Sequence, residues 1–436
     1  MLENLLKEKG FEFVTILENY EEERTDEIAS ILDHKNATYF YAADVEEKLN
    51  IKNFCKKFNA EDLDGVKKNV VEKSKKDKVI IVIRNIEKLI SKDYKAFLTF
   101  IKELKSLNVM LVVLSKNTAT VKELMGKDLA DVVTKTIDNE QKGIYDILQG
   151  KNVKPIDLFT YYSIFGTNNR YLKYIDTNKT VKENLVNMIL RKDSLFINET
   201  ENILKTELRT LQVYNMIFSV IANGAKTLSE ISEQLGLPTS ICNKYTTVLI
   251  NLGMLTKIKP VYDNDTRKSE YEITNKLMDF YYYFVFGNMD EISIGKEERL
   301  YDEKVSSNMD KYLAKRFSSI CHEYVIKQIM EEKNPMTIIE NGKWWDKNAA
   351  IDVVVGDGVK AIFANCFWND ETIGTEELTQ LEIASKNIDV VNRKYYLFAK
   401  KGFSDELKKV VKKREDVELV DFTTVIEGKK KFLFFK

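Results

Sequence analysis

Five consecutive apolar residues, Val79-Ile80-Ile81-Val82-Ile83, constrain this 436-residue chain more than any other stretch. A strand with no polar position has no face to offer water, so it belongs inside a sheet covered on both sides. Its neighbours point the same way. Phe11 to Leu17 and Thr38 to Ala42 read as earlier strands, Val109 to Leu114 as a fourth, and Val132-Val133 as part of a fifth. Between the third and fourth, Tyr94 to Leu107 places Phe97, Phe100, Ile101 and Leu104 at helical spacing. Strands that alternate with helices need crossover connections, which predicts an α/β fold with a parallel sheet.

In such a sheet, ligands sit beyond the carboxyl ends of the strands. A phosphate-binding loop there needs glycines, a lysine and a Ser/Thr for Mg²⁺. The segment after the first strand, Glu18 to Asp26, has no glycine and carries four glutamates. Its Asn19, Arg24, Thr25 and Asp26 occupy the phosphate-loop position, and the acidic run would repel a triphosphate. The third strand ends in Arg84-Asn85, where hydrolysis needs carboxylates for Mg²⁺ and the attacking water. Glu87 lies two residues late, which predicts a place off the strand end. The fourth strand ends Ser115-Lys116-Asn117, polar where a γ-phosphate sensor would sit. With two slots filled by the wrong chemistry, the expectation is no nucleotide hydrolysis.

Composition narrows the rest. The formal net charge of -1 gives no global basic field for nucleic acid, and 17 glycines with 4 prolines predict a helix-rich chain with short loops. Four dispersed cysteines support neither a zinc site nor a disulfide framework and fit reduced thiols of a cytoplasmic protein. Two histidines, His34 and His322, argue against a histidine triad or multi-histidine metal centre. No apolar run reaches membrane-spanning length, and the amino terminus lacks the apolar stretch of a signal peptide.

The strongest local pattern runs from Leu211 to Ile273. Leu211, Tyr214, Ile217, Phe218 and Ile221 line one helix. Thr227 with Glu230 forms a capping box for a second, which stops at Gly236, and Pro238 opens a third. Met254 to Tyr262 and Ser269 to Ile273 then make a hairpin, so the whole reads as a winged helix-turn-helix. A DNA reading places Thr239, Ser240, Asn243, Lys244 and Thr247 in a major groove, with Lys257, Lys259, Arg267 and Lys268 on phosphates. A packing or protein-contact reading stands beside it, because Lys244 is the lone base on the third helix.

Together these pieces resemble the archaeal-type predicted ATPases, relatives of the AAA+ and STAND P-loop proteins. The resemblance is most specific at Gly166 to Leu172, at Asp193-Ser194-Leu195-Phe196, from Asn223 through Gly253, from Asp279 to Asn288, and at Gly342-Lys343-Trp344-Trp345. It implies an ATPase-like domain over 1–140, a helical lid over 141–208, a winged helix over 209–290, and a PD-(D/E)xK nuclease-like domain over 291–436. ATP and Mg²⁺ enter only through this resemblance; from the residues themselves no cofactor is expected. The family's Gly-Lys-Thr-like loop aligns with Asn19 to Asp26 and its Asp-Glu pair with Arg84 and Asn85, so this member looks degenerate at both.

By the same resemblance Glu323 fits the nuclease helix glutamate and Asp352 the strand aspartate, a weak residual metal pair. The family's Glu-Cys-Lys-Trp is here Asn365-Cys366-Phe367-Trp368, without the second carboxylate and the lysine. The resulting expectation is a pseudoenzyme that binds double-stranded DNA or a protein partner, or self-associates, away from membranes. A nucleotide-binding switch without turnover and a weak metal-dependent nuclease are the alternatives.

Overall fold

The apolar run lies where it must, in the interior of a five-stranded sheet. The computed structural model describes residues 5–17, 25–90, 95–115, 126, 129–137, 143–263, 268–332 and 335–428. The chain divides into two units, Met1–Gln141 with Asn251–Met254, and Lys142–Ile250 with Leu255–Lys436.

In the first unit, β1 (Glu12–Leu17), β2 (Ala37–Tyr41), β3 (Val79–Arg84), β4 (Val109–Ser115) and β5 (Lys135–Ile137) form a sheet in the order β2-β3-β4-β1-β5. All the pairings are parallel. Side chains alternate across β3, so its two faces feed two cores. Val79, Ile81 and Ile83 meet Phe54, Val66, Phe97 and Phe100 from helices Glu47–Lys57, Leu63–Ser74 and Ala96–Glu103. Ile80 and Val82 meet Ile28 and Ile31 of helix Thr25–Leu32 on the opposite face. Phe54 is the hub of the first core, with ring centroids of Phe40, Phe58, Phe97 and Phe100 at 5.1 to 5.9 Å. Each such ring contributes about 1.5–3 kcal/mol through burial alone.

The fifth strand is displaced from its expected place. Val132 and Val133 turn back, their amides donating to the carbonyl of Leu129 at 2.9 and 3.0 Å. The ladder begins only where the Thr134 amide reaches the Phe13 carbonyl at 3.0 Å. Val132 is buried from within the turn, so its apolar character reports burial and not a strand.

The second unit opens with short helices, among them Pro155–Phe165, Asn169–Leu172, Val181–Leu185 and Glu199–Glu207. Helices Gln212–Ala222, Leu228–Leu235 and Thr239–Asn251 follow, then the antiparallel hairpin of β6 (Leu255–Ile258) and β7 (Glu270–Ile273). The expected capping box is present: Thr227 Oγ1 accepts from the Glu230 amide at 3.2 Å, and Glu230 accepts from the Thr227 amide at 3.0 Å. A long helix, Ser307–Met330, leads into a second five-stranded sheet. Its strands are β8 (Glu340–Trp345), β9 (Ala350–Gly356), β10 (Lys360–Phe367), β11 (Asn392–Ala399) and β12 (Val417–Asp421), side by side in that order. β8, β9 and β10 are antiparallel, whereas β10, β11 and β12 are parallel. Trp344 is 5% exposed in the core of this sheet, with Phe363, Leu381 and Leu397. No helix among the described residues is long and apolar enough to cross a membrane.

Candidate functional site

Three places bring the sequence-derived residues into view, the first at the carboxyl edge of the parallel sheet. Asn19 and Arg24, and the side chains of Thr25 and Asp26, lie outside the described residues. Arg84 closes β3, its carbonyl accepting from the Ala42 amide at 3.0 Å. Asn85 then takes a left-handed conformation, φ 60° and ψ 51°, which asparagine tolerates better than other residues with a Cβ. Its amide donates to the Leu114 carbonyl at 2.8 Å and its side-chain Nδ2 to the Ala42 carbonyl at 3.1 Å. Asn85 therefore ties the ends of β2, β3 and β4 together.

Glu87 is not lost to this edge. The 3₁₀ turn Ile86–Lys88 swings it across to β4, where Ser115 Oγ donates to its carboxylate at 2.6 Å. Counting along an extended strand places Glu87 too far away; a tight turn of about 2 Å rise per residue brings it back. Next to it, Lys88 pairs with Asp44 at 2.7 Å.

The second place is the helix Thr239–Asn251. Thr239, Ser240, Asn243, Lys244 and Thr247 are all exposed, while Cys242, Thr246 and Leu249 face inward and are buried. Thr247 Oγ1 donates to the Asn243 carbonyl at 2.7 Å, and Thr239 Oγ1 lies 3.1 Å from Ser232 Oγ. In the hairpin, Lys257 is exposed and stands 5.9 Å from the Tyr271 ring centroid. Lys268 is half-buried in an ion pair with Asp263 at 2.6 Å. Arg267 lies outside the described residues.

The third place holds the two carboxylates. Glu323, on the long helix, accepts from the Ile144 amide at 2.8 Å and from the Tyr162 hydroxyl. Burial pushes its carboxyl up from the usual range, against the opposing pull of Lys276, Tyr162 and the amide. Gly143 has no room for a side chain here, because a Cβ would run into the Glu323 carboxylate. Asp352 accepts from the Cys366 amide at 2.8 Å, and its own amide donates to Asn365 Oδ1 at 3.2 Å. Burial raises its carboxyl too, with Lys343 and Lys226 pulling the other way.

The two carboxylates thus engage different partners on different elements. Among the described residues, no three His, Cys, Asp or Glu side chains gather to hold a metal ion. Lys343, whose charge bears on Asp352, escaped sequence reasoning because no spacing announces its ion-pair partner. It projects from β8 to pair with Glu272 of β7 at 2.9 Å. Beside it His322 meets Asn341, and burial lowers the imidazole's affinity for a proton. Asp279 and Arg316 form a further, largely buried ion pair.

An uncharacterised protein of Methanocaldococcus jannaschii is 28% identical over 186 residues, 42% of each chain, so this chain matches less than half the length of that relative. The Orc1 protein of Aeropyrum pernix, solved in complex with DNA, is 10% identical, with 66% of this chain and 89% of that one covered at a TM-score of 0.33. A RuvB variant of Thermotoga maritima is 12% identical, with coverages of 63% and 88% and a TM-score of 0.31. Likenesses this distant say nothing of what the chain binds. From the aromatic segment at Tyr281 through the long helix and β8 to β10, residues 281–381 match DUF234, a family described as archaeal and bacterial proteins of unknown function.

Proposed function

We propose that this chain acts by binding and not by turnover, and that its target is duplex DNA. The carrying observation is the helix Thr239–Asn251, which turns five polar side chains to solvent from one stretch and buries Cys242, Thr246 and Leu249 on its other side. As the third helix of a winged helix-turn-helix over 209–290, it would lay Thr239, Ser240, Asn243, Lys244 and Thr247 against base edges. Lys257, Lys259, Arg267 and Lys268 of the hairpin would meet phosphates. The parts flanking it are an ATPase-like region over 1–140, a lid over 141–208 and a nuclease-like region over 291–436, in a cytoplasmic protein. Neither end region turns over substrate in this reading. The phosphate-loop position lacks glycine and lysine, a neutral Asn85 stands in the metal position, and Glu323 and Asp352 engage protein donors.

Fluorescence anisotropy of a labelled duplex across a salt series tests this. Binding with a Kd of about 10⁻⁶ to 10⁻⁴ M that weakens with salt, and weakens further in Lys244→Ala, is expected. Added ATP should leave the thermal midpoint unmoved. No binding at low salt sinks the DNA reading and favours a protein partner. Ile241, 39% exposed on the same helix, gives that second reading its foothold.

A further inference from the structure

The hairpin is not a free arm. After β6 the chain passes Pro260 and runs along the edge strand β8, where the Val261 amide donates to the Lys343 carbonyl at 2.9 Å. Val261 and Tyr262 pack against the core of the mixed sheet. Gly342 and Gly356 leave the space these two side chains need: a Cβ on Gly342 would come within 3.0 Å of Val261 Cγ1, and one on Gly356 would overlap the Tyr262 hydroxyl. The Lys343–Glu272 ion pair fastens the returning strand β7 to the same edge. The hairpin and β8 are therefore joined by a backbone hydrogen bond, an ion pair and apolar packing.

The β8–β9 turn extends this junction. Asp346 Oδ1 accepts from the amides of Asn348 and Ala349 at 2.7 and 2.8 Å, and the Asp346 amide returns a bond to the Ala349 carbonyl at 2.9 Å. Those two amides hold the Asp346 carboxyl below the usual range, and the charge of Lys268 in the hairpin adds to the effect. The turn is thus closed on itself and within the electrostatic reach of the hairpin's own lysine. Lys347, at its tip, is exposed and makes no ion pair with a described residue. A lysine on a stiff turn, desolvated by nothing, suits a phosphate better than a base edge, since it offers a point charge without bidentate geometry.

We propose that the β8–β9 turn, through Lys347, is a second phosphate contact for the duplex held by the helix Thr239–Asn251, so that the mixed sheet serves as an extension of the DNA-binding face. This rests on the DNA reading above. The duplex would run from the third helix over Lys257 and Lys268 to Lys347, and the junction at Val261, Lys343 and Glu272 would keep these charges in register.

The test compares salt dependence for the full chain, Lys347→Ala, Lys244→Ala and Lys386→Ala, with the same labelled duplex. Lys386 is an exposed lysine of the same sheet domain, beyond helix Thr375–Ser385, with no place in the proposed face. Loss of one phosphate contact lowers the slope of log K against log salt by about one. The expected result is that drop in Lys347→Ala and an unchanged slope in Lys386→Ala. If the full chain binds but Lys347→Ala keeps its slope, or Lys386→Ala loses as much, the extension is overturned while the DNA reading stands. If the full chain does not bind, both fall together.

Discussion

The two five-stranded sheets of this chain answer the same topological demand with opposite chemistry. The two central strands β3 and β4 of the parallel sheet are apolar on both faces, with every residue from Val79 to Ile83 and from Val109 to Leu114 buried and hydrophobic. At the sheet's carboxyl edge Asn85, Glu87 and Ser115 bond to the protein itself. The second unit instead carries charge in and around its core: Arg316 and Asp279 are largely withdrawn from water, Glu323 and Asp352 are partly buried, and Lys343 pairs half-exposed with Glu272. The interior strands of the first sheet rest on apolar burial, so polar changes at its edge need not disturb its core. In the second, the charged groups are the joints between segments, and each must keep its partner.

This contrast is tested hardest by removing the hub of one and the clasp of the other. Phe54→Ala should cost about 3–5 kcal/mol, since four rings would line the cavity left behind. Asp279→Ala should cost a similar amount, about 3–5 kcal/mol, because it strands the Arg316 guanidinium in a site only 15% exposed. The two losses differ in their repair. Replacing both partners, Asp279→Leu with Arg316→Met, should recover most of the second loss, as an apolar pair needs no compensation. Urea unfolding of all the variants decides it. A double variant no better than Asp279→Ala would show that the charges do more than satisfy each other.

A smaller effect belongs to the edge of the parallel sheet. Asn85→Ala should cost about 2–3 kcal/mol, through a lost hydrogen bond and a left-handed residue with a less tolerant side chain. Asn85→Gly keeps the turn and should cost only about 1 kcal/mol. If thermal unfolding shows Asn85→Ala to be neutral, the side chain is not holding the strands, and a ligand role at this edge regains interest.

These variants also mark where the sequence was legible. The period-two alternation of β3 exposes both cores, because each side chain's face follows from its parity. The Thr227–Glu230 box is equally plain, since capping needs only residues three apart. Local rules fail where the chain bends or where partners are distant. Val132-Val133 has strand composition but sits in a turn. Glu87 returns to the sheet edge only because a 3₁₀ turn shortens the path to Ser115. Lys343 and Glu272 are 71 residues apart, and no periodicity links them. The protein partners of the candidate carboxylates were equally hidden: the Ile144 amide reaches Glu323 across 179 residues, and the Cys366 amide reaches Asp352 from the neighbouring strand.

The smallest predicted effect probes whether Glu323 behaves as a buried joint. Burial dominates its environment and raises the carboxyl's pKa over that of the unfolded chain. A raised acid means the folded state takes up the proton more readily than the unfolded one. Its contribution to stability is therefore complete below the unfolded value, about 4.3, and is lost as pH climbs through the folded one. Glu323→Gln cannot titrate, and it exchanges one acceptor for a donor at every pH alike. The thermal midpoint of the variant minus that of the natural chain, followed from pH 4 to pH 8, should then shift toward the variant as pH rises, since all other groups cancel in the difference. A shift in the opposite direction would mean that Tyr162, the Ile144 amide and Lys276 together outweigh burial and that the site welcomes a carboxylate charge. That outcome would mean that the fold favours a charged Glu323, as a cation-binding role would require.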